Sequence, residues 1–107
     1  MSGIESKFNK AVEIVKALPS DGADKPTQDE QLEFYALFKQ ATIGDVNTPK
    51  PGLLELTAKY KWNAWKSKEG MSQEKAKEEY VEKLRSKLQQ SSNPEDAKKI
   101  LADLDAA

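Results

Sequence analysis

The sequence predicts an all-α protein of four helices with a short fifth at the C-terminal end. Three observations carry that reading. Apolar residues recur at helical spacing in five separate stretches. No stretch alternates apolar and polar residues for long enough to form a strand. Helix start and stop signals fall between the stretches: Thr27 with Glu30, Ser72 with Glu74 and Asn93-Pro94-Glu95 as starts, Gly44 and Gly70 as stops.

The first helix is expected over about Ile4 to Leu18, with Ile4, Phe8, Ala11, Val12, Val15 and Leu18 on one face. Pro19, Ser20, Asp21 and Gly22 then break it. Thr27 and Glu30 form a capping-box pattern for the second helix, which carries Leu32, Phe34, Tyr35, Leu37, Phe38 and Ala41 and stops at Gly44. Residues 44–52 hold two prolines and two glycines, so they read as a connection without regular structure. The second helix is roughly 24 Å long. Nine extended residues reach up to about 30 Å, enough to return along it. The second and third helices are therefore expected to run in parallel, joined by an overhand loop. The third helix is expected over Leu53 to Lys68, ending at Gly70. Ser72 caps the fourth, whose stripe is Ala76, Tyr80, Val81, Leu84 and Leu88. Pro94 suits the first position of the fifth helix, with Ala97, Ile100, Leu101 and Leu104 as its apolar face.

Composition removes several function classes. The 107 residues suit one domain, and the net charge of -1 supplies no global field toward nucleic acid or anionic membrane. Any anion site must be a local cluster of lysines. The chain has no cysteine and no histidine. Disulfides, thiolate metal sites and the usual nucleophile–base pairs are excluded, so neither an enzyme nor a metal site is expected. No apolar run approaches the roughly 20 residues of a membrane span. Met1 to Lys10 is polar and mixed in charge, unlike a signal peptide.

Two segments bear on chemistry. Tyr35 and Lys39 are four apart and share a helix face, with Phe38 beside them. An aromatic ring and an ammonium on one face can hold a flat heteroaromatic ring and a phosphate together. A third helix alongside brings Lys61 to that cluster. The product is a small cationic pocket with aromatic walls, suited to a nucleotide with several phosphates; a duplex would need an extended basic stripe. The plainer reading of the same spacing is a half-buried aromatic beside a solvated lysine. Trp62, Trp65 and Tyr80 read first as core, and the dense charges from Glu74 to Lys87 as a solvated face.

The ordered set Tyr35-x-x-Phe38-Lys39-Gln40-Ala41-Thr42-x-Gly44-Asp45, then Pro51-Gly52, then Lys61-Trp62-x-Ala64-Trp65 resembles the acyl-CoA-binding protein family. The likeness runs from about Phe8 to Leu88 and includes Phe8, Ala11, Val15, Lys16 and Leu18. The segment from Pro19 to Gln28 is similar in length to the fungal members. The resemblance implies a four-helix up-down-down-up bundle with a long loop between helices 2 and 3. It implies reversible binding of one long-chain acyl-CoA, with Tyr35, Lys39, Lys61 and Tyr80 on the CoA head group. Lys16 is implied as a further phosphate contact, and Phe38 as a stacking ring. Phe38 stands where many members have Tyr, which keeps the ring and loses a hydroxyl. Thr57 stands where some carry a basic residue, and Tyr60 replaces a residue that is usually small.

The expected function is therefore binding, buffering and intracellular transport of acyl-CoA by a cytoplasmic monomer. Neither a cofactor nor a nucleic-acid partner is expected, and membrane contact is at most transient. The rival readings are a helical protein-interaction module, a carrier of free fatty acids and an acyl-CoA hydrolase; the last needs a general base that the sequence does not offer. The domain is expected over residues 1–92, with 93–107 as a helical extension packed on it or trailing from it.

Overall fold

The computed structural model describes residues 3–19, 22 and 24–107. It contains five α-helices and, among the described residues, no strand: α1 (Gly3–Lys16), α2 (Gln28–Thr42), α3 (Leu56–Lys66), α4 (Gln73–Gln89) and α5 (Pro94–Ala106). The described chain divides into two compact units, Met1–Pro26 with Glu78–Ala107, and Thr27–Lys77. The division falls within α4.

In the central unit, α2 starts on the capping box read from sequence. The Thr27 side chain accepts from the Glu30 N–H at 3.1 Å, and the Glu30 carboxylate accepts from the Thr27 N–H at 2.8 Å. Phe34, Ala36, Leu37 and Ala41 are buried along its inner face. The helix ends at Gly44, whose φ of 101° places it in the left-handed region, and whose N–H returns to the Lys39 carbonyl. The loop to α3 is longer than expected, because α3 begins at Leu56 and not at Leu53. The reason is local. The Glu55 N–H donates to the Gly52 carbonyl at 3.1 Å, and the Glu55 carboxylate accepts from the Gly52 N–H at 3.0 Å. This closes a separate turn with Leu53 and Leu54 at its centre and leaves Glu55 without a side-chain cap for α3. The third helix also stops earlier, at Lys66 rather than Lys68.

α2 and α3 pack on each other. Lys61 meets Tyr35, Trp65 meets Lys39 and Gly44, and Gly70 meets Asp45. The contacts climb both segments in the same order, as an overhand connection requires. The Lys68 ammonium folds back to Glu33 at 2.6 Å. Ser72 caps α4 as expected, accepting from the Lys75 N–H at 3.0 Å.

In the other unit, Phe8 and Ala11 of α1, Tyr80, Val81, Leu84 and Leu88 of α4, and Ala97 and Leu104 of α5 are buried. α1 ends two residues before the expected Leu18, because the Ala17 N–H is shared between the Glu13 and Ile14 carbonyls and the Leu18 N–H turns to the Val15 carbonyl, three residues back. Ser20 and Asp21 of the expected breaker lie outside the described residues. The connection to α2 is tied down by Asp24, which accepts from the Ser92 N–H at 2.9 Å and from the Ser91 and Ser92 hydroxyls at 3.0 Å. The Ser92 N–H holds the Asp24 carboxyl below its ordinary pKa, although partial burial works the other way. α5 packs on α1. The Lys7 ammonium donates to the carbonyls of Asp105 and Ala107 at 2.9 and 3.1 Å, satisfying the open C-terminal end of α5. Arg85 pairs with Asp105 from α4.

Candidate functional site

The central unit gathers two ammonium groups on one aromatic ring. Lys39 Nζ lies 5.7 Å from the Tyr35 ring centroid, as their spacing along α2 dictates. Lys61 Nζ, from α3, lies 5.5 Å from the same centroid. Lys39 Nζ is also 5.6 Å from the ring of Trp65. Tyr35 and Lys39 are half-buried, Lys61 is exposed and Trp65 is buried. The negative faces of the rings attract the two cations. Neither ammonium is paired to a carboxylate among the described residues. Two ammonium groups set on one ring, with no acidic partner among the described residues, leave a site open to a polyanion.

Hydrogen bonds that span the unit hold this geometry. The Trp65 indole N–H donates to the Gly44 carbonyl at 2.8 Å, and the Trp62 indole N–H to the Thr48 carbonyl at 2.9 Å. Both tryptophans thus pin the long loop to α3. Gln40 is fully buried; its Nε2 donates to Asp45 Oδ1 and to the Met71 carbonyl, each at 2.8 Å. Asp45 also accepts from the Gly70 N–H at 2.9 Å. The Gly70 and then the Gln40 hydrogen bonds hold the Asp45 carboxyl below its ordinary pKa. The ionised Asp45 therefore ties the end of α2 to the turn that follows α3.

Of the residues marked in the sequence, Tyr35, Lys39 and Lys61 are brought together in the central unit. Phe38 is half-buried on the same helix. Lys16 and Tyr80 belong to the other unit. Lys16 is exposed in the last turn of α1. Tyr80 is buried, with its ring set edge-on to Phe8 at 5.2 Å between centroids and 72° between planes. Burial pushes its phenol up to about 12, so it is neutral across the physiological range. A cavity of about 480 Å³ in the same unit lies among Ile14, Leu18, Leu88, Ala97 and Ile100, and neither Lys16 nor Tyr80 lines it. Sequence reasoning missed Trp65 as the second ring under Lys39. The only signal was its four-residue step from Lys61, which also fits a plain core position. Among the described residues no cluster of carboxylates could hold a metal ion, and no helix is long and apolar enough to cross a membrane.

The match to known proteins fits this arrangement. The family model described as acyl CoA binding protein matches residues 5–84. The chain is 48% identical over 81 residues to the Caenorhabditis elegans acyl-CoA-binding protein homolog 3, covering 76% of this chain and 70% of the relative. It is 49% identical over 78 residues to a Drosophila melanogaster acyl-CoA-binding protein homolog, covering 73% and 86%. The crystal structure of ACBP from Moniliophthora perniciosa superposes with a TM-score of 0.92 at 57% identity, covering 100% of this chain and 98% of that one. The chain belongs to the acyl-CoA-binding protein family. The family model ends at residue 84, inside α4, whereas the Moniliophthora structure also spans the length of α5.

Proposed function

We propose that this chain binds long-chain fatty acyl-CoA esters reversibly, one per molecule, and buffers and carries them in the cytoplasm. The observation that carries the reading is the pair of ammonium groups, Lys39 and Lys61, set on the Tyr35 ring with no carboxylate partner among the described residues. A CoA head group offers what such a site lacks: phosphates for the lysines and an adenine ring for the aromatic wall. Lys16, Phe38 and Tyr80 are assigned supporting contacts on the strength of family likeness. The acyl chain is laid into an apolar groove between helices, away from water. Each buried methylene contributes about 0.8 kcal/mol, so a sixteen-carbon chain offers roughly 12 kcal/mol before ordering costs. No step of covalent chemistry is involved, since the ligand leaves as it arrived.

Titration calorimetry with palmitoyl-CoA below its micelle concentration tests the reading. Saturable one-to-one binding, with free CoA and free palmitate both far weaker, supports it. A folded protein that gives no heat at several temperatures rules it out and favours an interaction module. Tight binding of free palmitate would favour a fatty-acid carrier.

A further inference from the structure

The cavity of about 480 Å³ in the unit that holds α1 and α5 falls within the roughly 300–1,000 Å³ of small-molecule sites. Its apolar walls come from three places: Ile14 and Leu18 at the end of α1, Leu88 at the end of α4, and Ala97 and Ile100 on α5. Leu88, Ala97 and Ile100 lie beyond residue 84, where the family model ends. None of Tyr35, Phe38, Lys39 and Lys61 lines it. Packed helices normally close such gaps, because interiors reach near-crystal density and atoms that face a void lose their contacts. Two small side chains help to keep this one open: Ala97, buried on α5, and Ala17, exposed just after α1.

The charged groups at its edge select the ligand. They are two carboxylates, Asp24 and Asp96, and one ammonium, Lys87. Asp24 is half-buried and accepts from neutral donors, the Ser92 N–H and the Ser91 and Ser92 hydroxyls. The Ser92 N–H chiefly holds it in the charged form, and Lys87 acts on it through space. Asp96 uses Oδ2 to accept from Asn93 Nδ2 at 2.8 Å, and its Oδ1 accepts no hydrogen bond among the described residues. One ammonium thus answers two carboxylates, which leaves an acidic edge beside an apolar floor. A fatty acid or an acyl-CoA would set its own negative charge against that edge. An apolar body that ends in a protonated amine matches both parts. The body replaces water on the floor, and its N–H groups donate to carboxylate oxygens.

We propose that this cavity is a binding site for lipophilic amines, with the apolar body on Ile14, Leu18, Leu88, Ala97 and Ile100 and the protonated nitrogen at Asp24 and Asp96. It shares no residue with the head-group cluster and does not depend on the ligand assigned there. It gives the chain a second specificity, opposite in charge to the first.

The test uses the full chain and a series of probes that share one body and differ in charge: phenylbutylamine, phenylbutanol and phenylbutyrate. Binding is read from amide and methyl NMR shifts. The amine is expected to give saturable shifts at Ile14, Leu88 and Ile100, with a Kd of about 1 mM or tighter for so small a ligand. The alcohol should bind more weakly. The carboxylate should be weaker than the amine by about tenfold or more, since it loses a charge-assisted contact and meets repulsion. Asp96→Asn should cost the amine about threefold and leave the alcohol within about twofold, as loss of one partly solvated charge requires. Ala17→Phe puts a ring at the cavity wall and should weaken amine and alcohol alike by about tenfold or more. Its melting should stay near the parent's, because position 17 is exposed. Saturating palmitoyl-CoA should leave the amine in place. The proposal is overturned if no probe gives saturable shifts at these residues, or if the carboxylate binds as tightly as the amine. It is also overturned if a folded Ala17→Phe protein binds the amine as the parent does, or if Asp96→Asn changes amine and alcohol equally. Displacement of the amine by palmitoyl-CoA, with shifts at Tyr35 and Lys61, would give the amine to the head-group cluster and equally refute it.

Discussion

Replacing Lys61 by alanine isolates the head-group cluster. Lys61 is exposed, and its ammonium sits 5.5 Å from the Tyr35 ring. That contact supports the fold only weakly, because a cation on a ring at an exposed site contributes about 0.5–1 kcal/mol. The melting temperature should therefore fall by less than about 8 °C. Toward a bound phosphate the same ammonium would make a charge-assisted contact, worth about 1.5–3 kcal/mol. Solvent around Lys61 favours the lower end of that range, so palmitoyl-CoA affinity should weaken by at least roughly tenfold. Calorimetry on Lys61→Ala, Lys61→Arg and the parent at two salt concentrations separates charge from packing. Arginine should restore part of the affinity, and the alanine variant should respond less to salt than the parent. A folded Lys61→Ala protein with the parent's affinity would refute the assignment of the CoA phosphates to this cluster.

Tyr80→Ala removes a buried ring that packs edge-on to Phe8 and should lower stability by about 3–5 kcal/mol in urea denaturation, as large buried rings do. The same variant should bind palmitoyl-CoA less tightly; an unchanged melting temperature would show that Tyr80 is not part of the core. Trp65→Phe keeps a ring beside Lys39 but deletes the donor to the Gly44 carbonyl. A loss of about 1–3 kcal/mol is expected, with faster amide exchange across residues 44–52, and unchanged exchange there would remove the indole as the loop's anchor. Asp45 has a folded pKa below its ordinary value of 3.8 because of the Gly70 and Gln40 hydrogen bonds. Its contribution to stability is thus full above that ordinary value and is lost as the pH falls through the lowered one. Asp45→Asn should be less stable than the parent near neutrality, with the gap closing in acid; parallel stability–pH curves would contradict this.

Much of the helical frame is legible because its signals are local. The Thr27–Glu30 capping box, the Ser72 cap, Asn93-Pro94 and the left-handed Gly44 all act within a few residues, and each does what its sequence suggests. The inner face of α4 was legible for the same reason, since Tyr80, Val81, Leu84 and Leu88 repeat at helical spacing and are buried. The start of α3 was not, because Leu53 reads as the first residue of an apolar stripe. Only the Glu55 side chain, turned back to the Gly52 N–H, shows that these leucines belong to a separate turn. The pairing of Tyr35 with Lys39 was legible from a four-residue spacing, and Lys61 beside them from the length of the loop.

The sequence by itself determined which segments are helical, where most of them start and stop, and, through an ordered motif, the family. These follow from hydrogen bonds and side-chain periodicity that operate over three or four residues. The tertiary structure alone decided what meets across long gaps. It set the Trp65 ring under the Lys39 ammonium and joined the indole N–H to Gly44. It enclosed Gln40 between Asp45 and Met71, and left Leu53 and Leu54 in water. Those outcomes depend on which surfaces are buried once α2 and α3 pack, and residue type alone does not reveal that. A tryptophan, a glutamine or a leucine reads the same in the sequence whether it becomes a staple, a buried hub or an exposed tip.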